Sequence, residues 1–165
     1  MEEPVYISYY QSPVGLIKIS GNANCINEVK FLDSQEEASA TATLSDVVQL
    51  CTDQLIEYFN GSRRQFDIPI NQEGSEFQQK VWGKLMDIPF GRTINYLDLA
   101  KRLGDTKIIR AAATTNGKNK IAVIVPCHRV IGSNGTLVGY AGGLWRKRWL
   151  LEHENKVANG VQTLF

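Results

Sequence analysis

The chain has 165 residues, of which 43% are hydrophobic and 21% charged, and its formal net charge is +1. These values are ordinary for a soluble globular protein of one domain or two small ones, and no apolar run reaches membrane-spanning length. Three widely spaced cysteines, two histidines and no CxxC motif argue against a disulfide framework and give no recognisable metal site; without a signal peptide, we expect an intracellular protein.

The small net charge hides an acidic half and a basic half. Residues 1–73 carry four basic and eleven acidic side chains, a net charge of −7, whereas residues 74–165 carry fourteen and six, a net charge of +8. A strongly basic half is typical of a portion that binds a polyanion; the alternative is that the two halves only attract each other. We place the boundary in the polar stretch 71–74, which gives domains 1–73 and 74–165.

The N-terminal half is predicted to form a small α/β unit. Three segments rich in β-branched and aromatic residues favour strands, and they lie at 5–10, 16–20 and 25–32. A turn at 12–15 joins the first two strands, so the three make an antiparallel meander. From 43 to 59 apolar residues recur at helical spacing, and Asn60-Gly61 ends that helix. Nothing in this half indicates chemistry, and we interpret it as a scaffold.

The C-terminal half is predicted to be mainly helical. Ser75 is placed to cap a first helix, which ends at the turn 88–91. Two short helices at 96–103 and 107–116, joined by a tight turn that contains Gly104, have the outline of a helix-turn-helix. Such an outline is either a simple packed pair of helices or a DNA-binding motif. On a half with a charge of +8 it favours duplex DNA as the partner, because phosphate neutralisation supplies much of the affinity for DNA.

The second of these two helices has an unusual composition. A run of small side chains at 111–115 follows Arg110. Small residues allow a backbone to approach a surface closely, and a single long cation can then reach past them. A last amphipathic helix is predicted at 144–153.

The stretch 123–131, Val-Ile-Val-Pro-Cys-His-Arg-Val-Ile, carries the most informative cluster. Pro126 favours extended geometry in the residue before it, so we expect a strand to end there and Cys127 to follow at a bend. Cys127 is either a small buried hydrophobe or a reactive thiolate. His128 and Arg129 supply the base and the positive charge that a thiolate needs.

Two features after this cluster are candidates for the walls of a site. Five glycines within 132–143 make either two surface turns or backbone that approaches a ligand closely, and Tyr140 offers a stacking surface. The last helix delivers Glu154, a carboxylate that would orient and polarise His128 if it reached it.

Together these residues resemble the O6-alkylguanine-DNA alkyltransferases, also called methylated-DNA–protein-cysteine methyltransferases. The resemblance is close over 74–156 and looser over the N-terminal half. Its most specific element is Pro126-Cys127-His128-Arg129-Val130, and Lys120 stands where the family commonly has proline. Further motifs follow the family's order: Phe77-Gln78 with Val81-Trp82, Ile88-Pro89-Phe90-Gly91, Tyr140-Ala141-Gly142-Gly143 and Trp149-Leu150-Leu151-Glu152-His153-Glu154.

The resemblance implies a fold and a reaction. The fold is an α/β N-terminal domain, RNase H-like with a small antiparallel sheet and a helix, followed by a mainly helical C-terminal domain with a winged helix-turn-helix-like DNA-binding motif. The reaction is DNA repair by direct reversal, in which a flipped O6-alkylguanine passes its methyl or other alkyl group irreversibly to Cys127. Each molecule acts once, as a suicide enzyme, and without a cofactor; activity on O4-alkylthymine stays open.

The resemblance also assigns site residues. The catalytic set is Cys127, His128, Glu154, Asn119 and Tyr96. Within it, a Glu154–His128–water–Cys127 relay activates the thiol, Tyr96 assists the departing oxygen and Asn119 braces the turn. The residues implied to contact DNA, with Arg110 filling the space of the flipped base, are Arg110, Tyr96, Ala111, Thr114 and Ser133. The residues implied to line the alkylguanine pocket are Tyr140, Ser133, Val130, Ala141 and Lys147.

The implied partner is double-stranded DNA containing O6-alkylguanine, bound through its minor groove by a monomer, in the cytoplasm of a prokaryote or the nucleus of a eukaryote. No metal and no membrane are expected. Two other classes remain as alternatives. A cysteine hydrolase using Cys127 and His128 would need an oxyanion hole and multiple turnover. A non-catalytic lesion-binding relative would lack the cysteine, which is present here.

Overall fold

A computed structural model describes residues 3–33 and 39–160. The chain divides into two compact units, one made of 1–72 with 120–122 and the other of 73–119 with 123–165. The units differ from the predicted domains in two ways: Glu73 belongs to the second unit, and the three-residue segment 120–122 packs with the first. No helix in the described ranges is long and apolar enough to cross a membrane.

The first unit contains a three-stranded antiparallel sheet in the order β1-β2-β3. The strands are β1 (Tyr6–Ser12), β2 (Gly15–Gly21) and β3 (Ile26–Leu32). The β1–β2 turn is tight because the Ser12 hydroxyl donates to the Gly15 carbonyl at 2.7 Å and accepts from the Val14 N–H at 3.1 Å. Gly15 adopts a φ of 103°, a conformation that favours glycine.

Helix α1 (Asp46–Phe59) packs on this sheet. It begins three residues later than the apolar pattern predicts, because the Ser45 side chain caps it by accepting from the Val48 N–H at 3.3 Å. The apolar face of α1 and the inner face of the sheet form the core, whose fully buried members include Val48, Cys51, Leu55, Ile17 and Ile19. The predicted small antiparallel sheet with a helix is confirmed.

The segment 120–122 is held to β3 by backbone hydrogen bonds. The Val29 N–H donates to the Lys120 carbonyl and the Ala122 N–H donates to the Val29 carbonyl, both at 3.0 Å. The Lys120 N–H donates to Oε1 of buried Gln72 at 2.6 Å. A proline at position 120 has no backbone N–H and could not make this last bond, so the bond depends on both Gln72 and a residue other than proline at 120.

Replacing Lys120 with proline is therefore expected to destabilise the protein, although proline is the residue that the family commonly carries there. The loss of the bond to buried Gln72 should lower the free energy of unfolding by about 1–3 kcal/mol. Urea denaturation measures this change. Lys120→Ala is the matched control, because alanine keeps the N–H and the exposed lysine side chain contributes little. Equal stability of the two variants would contradict the assignment.

The second unit is mainly helical. Its helices are α2 (Glu76–Leu85), α3 (Tyr96–Arg102), α4 (Ile109–Gly117) and α5 (Leu144–Asn159). Ser75 caps α2 as predicted, in a capping box with Gln78. Two short strands, β4 (Ile94–Asn95) and β5 (Val130–Ile131), pair in parallel. Helix α5 runs six residues beyond its predicted end and stops at Gly160, whose φ is 73°.

Helices α3 and α4 form the predicted helix-turn-helix. They pack against each other, and a 3₁₀ turn (Thr106–Ile108) precedes α4. The connection turns sharply at Gly104, whose φ is 98°, and the Asp105 side chain accepts from the Lys107 N–H at 2.8 Å. Together with the other helices, this pair confirms the predicted mainly helical C-terminal domain.

Candidate active site

A tight turn presents Cys127. The expected strand before Pro126 is wrong, because 122–125 turns instead, and Val123 has a φ of 71° while its side chain is buried. A β-branched residue takes this conformation only when its surroundings impose it. The Val125 carbonyl accepts the Cys127 N–H and the Asn119 side chain, both at 2.8 Å. Cys127 then begins a 3₁₀ turn that runs to Arg129.

The Cys127 thiol is enclosed and held by polar groups. Its Sγ lies 3.2 Å from Nδ2 of Asn119, and its carbonyl accepts from Nδ2 of Asn116 at 3.3 Å. Burial raises the pKa of the Cys127 thiol, while the Asn119 hydrogen bond and the charge of Lys147 act in the opposite direction and favour the thiolate. Asn119 and Lys147, the latter from α5, thus offset part of the penalty that burial places on the thiolate.

Replacing Asn119 with alanine is expected to make the Cys127 thiol less reactive. The lost hydrogen bond favours the thiolate, so the pKa of Cys127 should rise and its reaction with iodoacetamide at neutral pH should slow by about 3- to 10-fold. The measurement is the alkylation rate of Cys127, followed by mass spectrometry of its peptide. Asn155→Ala, which removes a buried asparagine of α5, is the control. An unchanged rate for Asn119→Ala would contradict the account.

His128 and Glu154 form a buried pair. His128 Nε2 lies 2.7 Å from Glu154 Oε2, and neither side chain is more than 1% exposed. Burial lowers the pKa of His128 below its ordinary value; Glu154 opposes this, and the charges of Arg129 and Lys147 add to it. Burial alone would raise the pKa of Glu154, but electrostatic attraction to His128 and Arg129, together with hydrogen bonds from both, outweighs it and holds that pKa well below its usual range. The directions of these two pKa shifts favour a neutral imidazole beside an ionised carboxylate.

Lys147 and Tyr96 meet at one backbone carbonyl. Nζ of Lys147 donates to the carbonyls of Val138 at 2.9 Å and Gly139 at 3.2 Å, and the Tyr96 hydroxyl donates to the same Val138 oxygen at 3.2 Å. Burial lowers the pKa of Lys147 to about 8. Burial and the nearby Cys127 charge raise the pKa of Tyr96, which stays a hydrogen-bond donor. Both side chains thus face the segment predicted to wall the pocket.

The other residues predicted to line the pocket occupy different environments. Tyr140 is half-buried with an enclosed hydroxyl, and burial raises its pKa well above the ordinary value. Val130 is fully buried in β5, where its backbone pairs with Ile94. Ser133 and Ala141 are exposed in the glycine-rich segment. Their roles stay predictions.

Helix α4 presents three of the five residues predicted to contact DNA on its exposed side; Tyr96 begins α3, and Ser133 lies in the glycine-rich segment. Arg110, Ala111 and Thr114 are exposed, whereas Ala112 and Thr115 are buried against the other helices. The small residues thus leave a low surface with Arg110 projecting from its first turn. In the ranges that the structure describes, no cluster of histidine, cysteine, aspartate and glutamate can hold a metal ion.

Two groups that bind Cys127 or Glu154 were not among the predicted site residues. Asn116 is buried at the end of α4 and binds the Cys127 carbonyl; a polar residue on the buried face of that helix was the available signal. The Gly91 N–H donates to Glu154 Oε1 at 3.3 Å, and no sequence pattern indicates such a backbone contact.

Family models match both units of the chain. Residues 5–72 match the ribonuclease-like domain of 6-O-methylguanine DNA methyltransferase, and residues 76–156 match the DNA-binding domain of the same family. The chain belongs to the 6-O-methylguanine DNA methyltransferase family. The resemblance drawn from the Pro126-Cys127-His128-Arg129-Val130 motif and the expected fold class are thereby confirmed.

Curated relatives and solved structures agree with this family. The methylated-DNA–protein-cysteine methyltransferase of Mycobacterium tuberculosis is 41% identical over 156 residues, which is 93% of this chain and 94% of the relative. The one from Methanosarcina acetivorans is 39% identical over 153 residues, 91% of this chain and 98% of the relative. The crystal structure of M. tuberculosis O6-methylguanine methyltransferase has a TM-score of 0.82 at 39% identity, and the match covers 96% of this chain and 97% of that one. The crystal structure of M. tuberculosis OGT in complex with DNA has a TM-score of 0.80 at 40% identity, and the match covers 91% of this chain and 92% of that one.

Proposed function

We propose that this protein repairs DNA by direct reversal, moving an alkyl group from O6-alkylguanine in duplex DNA onto Cys127. The observation that carries the proposal is the arrangement around the buried thiol. Asn119 Nδ2 lies 3.2 Å from Sγ, and the next residue in the chain, His128, is paired with Glu154. Membership of the methyltransferase family, and the complex of the M. tuberculosis relative with DNA, support it.

Activation of the thiol begins at His128. Its Nε2 is held by Glu154, so Nδ1 is the nitrogen that accepts the thiol proton, through an intervening water. Burial keeps the imidazole neutral and ready to accept that proton. The resulting Cys127 thiolate is stabilised by the Asn119 hydrogen bond and the Lys147 charge.

The transfer itself is a displacement at carbon. The Cys127 thiolate forms the S–C bond as the C–O6 bond breaks, and the electron pair of that bond goes to the guanine oxygen. The Tyr96 hydroxyl exchanges its bond to the Val138 carbonyl for one donated to this oxygen, and the proton released by Cys127 balances the guanine product in the net reaction. A thioether is a poor leaving group, so the product is permanent and each molecule acts once, without a cofactor.

Access to the lesion requires that the guanine leave the base stack, at a cost of a few kcal/mol. The exposed face of α4 suits this step, because Ala111 and Thr114 permit close approach to the minor groove and Arg110 takes the space that the base vacates. The flipped base is then held by the residues of the predicted pocket, which are Tyr140, Ser133, Ala141, Lys147 and the backbone around Val130. The protein acts as a monomer.

Replacing Arg110 with alanine is expected to slow repair of a duplex lesion by about 10- to 100-fold, because the extruded base loses the group that replaces it in the stack. The measurement is the transfer rate at limiting protein. The defect should shrink when the lesion faces an abasic site, where extrusion costs less. Arg64→Ala, the same change at an exposed arginine in the acidic half, is the control. An equal defect on both duplexes would argue against a role in extrusion.

The test of the proposed function is a direct search for the product. The protein is incubated with a duplex carrying one O6-methylguanine, and its peptides are mapped by mass spectrometry. We expect one methyl group on the peptide containing Cys127 and unmodified guanine in the DNA. Lesion binding with no change in either molecule would instead indicate a damage-recognition protein.

A further inference from the structure

The Arg129 guanidinium is buried and makes directed contacts with all three of its nitrogens. Its Nε donates to Glu154 Oε1 at 2.8 Å and its Nη2 donates to Glu154 Oε2 at 3.1 Å. Its Nη1 donates to the Ile88 carbonyl at 2.7 Å, and the group lies 5.7 Å from the centroid of the Phe90 ring. A two-pronged contact of this kind fixes a carboxylate in orientation as well as in position.

Arg129 thereby decides which way each Glu154 oxygen points. Oε1 accepts from Arg129 Nε and from the Gly91 N–H, whereas Oε2 is shared between Arg129 Nη2 and His128 Nε2. An ionised carboxylate accepts and does not donate, so the hydrogen between Oε2 and Nε2 belongs to the imidazole. The other ring nitrogen, Nδ1, is enclosed and has no protein hydrogen-bond partner within 3–33 and 39–160.

We propose that Arg129 is a positioning residue for alkyl transfer, which acts through Glu154 to keep the His128 imidazole neutral, with its proton on Nε2 and Nδ1 directed to the thiol. This inference rests on the proposed function, because it takes His128 as the base for Cys127. It assigns to Arg129 an effect on the reaction that goes beyond holding the turn together.

The charges that face His128 come from two elements. From α5 these are the Glu154 carboxylate, which favours a protonated imidazole, and the Lys147 ammonium, which disfavours it; Arg129, from the same turn as His128, also disfavours it. Helix α2 packs against this turn too, but its charged side chains are exposed or half-exposed: Glu76, Lys80 and Lys84.

Removing the guanidinium changes this balance in one direction. The buried Glu154 carboxylate loses a paired positive charge, and uptake of a proton by His128 restores the balance. An imidazolium cannot accept the thiol proton, so the variant should be inactive at pH values where the wild type still works. Raising the pH removes the extra proton and should restore the rate.

The first experiment is the single-turnover rate of methyl transfer from about pH 5 to about pH 9, for the wild type, Arg129→Lys and Arg129→Met. For Arg129→Met we expect a rate about 10- to 100-fold lower at neutral pH and a recovery at high pH, because the acid limb of the profile moves upward. Arg129→Lys keeps the positive charge, so its rate at neutral pH should lie between those of the wild type and Arg129→Met. A defect of equal size at every pH would reduce Arg129 to a structural role and overturn the proposal.

The second experiment observes the imidazole without DNA, by ¹⁵N NMR of the two ring nitrogens of His128. The wild type should show a neutral ring protonated on Nε2, and Arg129→Met should show an imidazolium at neutral pH. Arg146→Met is the matched control: a buried arginine on α5 that donates to the Gly142 carbonyl should leave the His128 signals unchanged.

The NMR result separates this proposal from the proposed function. The expected imidazole signals together with no methyl transfer would refute the function and leave the Arg129–Glu154–His128 assignment standing. If Arg129→Met does not fold, Arg129→Gln replaces it, and the wild-type spectrum decides on its own. A wild-type imidazolium at neutral pH, or a proton on Nδ1, would overturn the proposal.

Discussion

Replacing Cys127 with alanine should abolish methyl transfer, by at least about 10⁴-fold, and leave binding of methylated duplex DNA in place. The Cys127 sulfur is the only protein atom in the proposed reaction that bonds to the transferred carbon, so no neighbouring group can substitute for it. Binding should persist because the exposed face of α4 and the glycine-rich segment are unchanged. The measurement pairs transfer of the methyl group with a gel-shift affinity for the same duplex.

The other two cysteines provide the controls. Cys25 is half-buried in the first unit, and Cys25→Ala should repair DNA at the wild-type rate. Burial raises the pKa of the Cys51 thiol to about 12, so this thiol is not a nucleophile at neutral pH. A methyl group found on either cysteine, or transfer by Cys127→Ala, would show that another acceptor exists.

Replacing Glu154 with glutamine should have the largest effect on stability. Glu154 is 1% exposed and accepts hydrogen bonds from Arg129, His128 and the Gly91 N–H. Glutamine has no charge to balance the guanidinium, and its NH₂ group faces other donors. Breaking a buried ion pair in this way costs about 3–5 kcal/mol of unfolding free energy. Methyl transfer should slow as well, by about 100-fold, because His128 loses the group that orients it.

The pH dependence of stability gives a second test of Glu154. Since its pKa is held well below the usual range, the stabilisation is present above about pH 4.3, where an unfolded glutamate is ionised, and is lost as the pH falls through the folded-state pKa. Acidification should therefore reduce the difference in unfolding free energy between the wild type and Glu154→Gln. Urea denaturation at neutral and acid pH measures this difference. Glu152→Gln, two residues away at a half-exposed position of α5, is the control; a variant of Glu154 as stable as this control would contradict the account.

Local signals predicted much of the fold. Ser75 followed by Gln78 forms a capping box, which needs no tertiary contact. The turn between α3 and α4 requires a positive φ at position 104, which glycine adopts readily. The β1–β2 hairpin follows from alternation and from the Ser12–Gly15 turn. The motif around Cys127 predicted the site because thiol, imidazole and guanidinium are adjacent in sequence.

The rest depends on contacts that local patterns do not contain. The apolar residues before Pro126 favour a strand, but Asn119 and the Cys127 N–H both bind the Val125 carbonyl and turn the chain back, with Val123 at positive φ. Lys147 lies in a run of charges typical of a solvated helix face, yet its side chain is fully buried. The capture of Glu154 by Arg129 joins side chains twenty-five residues apart, a contact that only the folded chain reveals.

In the proposed reaction Cys127 accepts one alkyl group and never releases it. The most direct measurement is a titration of a fixed amount of protein with increasing O6-methylguanine duplex, counting both the guanine restored and the methylated Cys127 peptide. We expect both counts to rise together and to stop at one per protein molecule, however long the incubation. Guanine restored beyond one equivalent, or restored while Cys127 stays unmodified, would contradict this expectation.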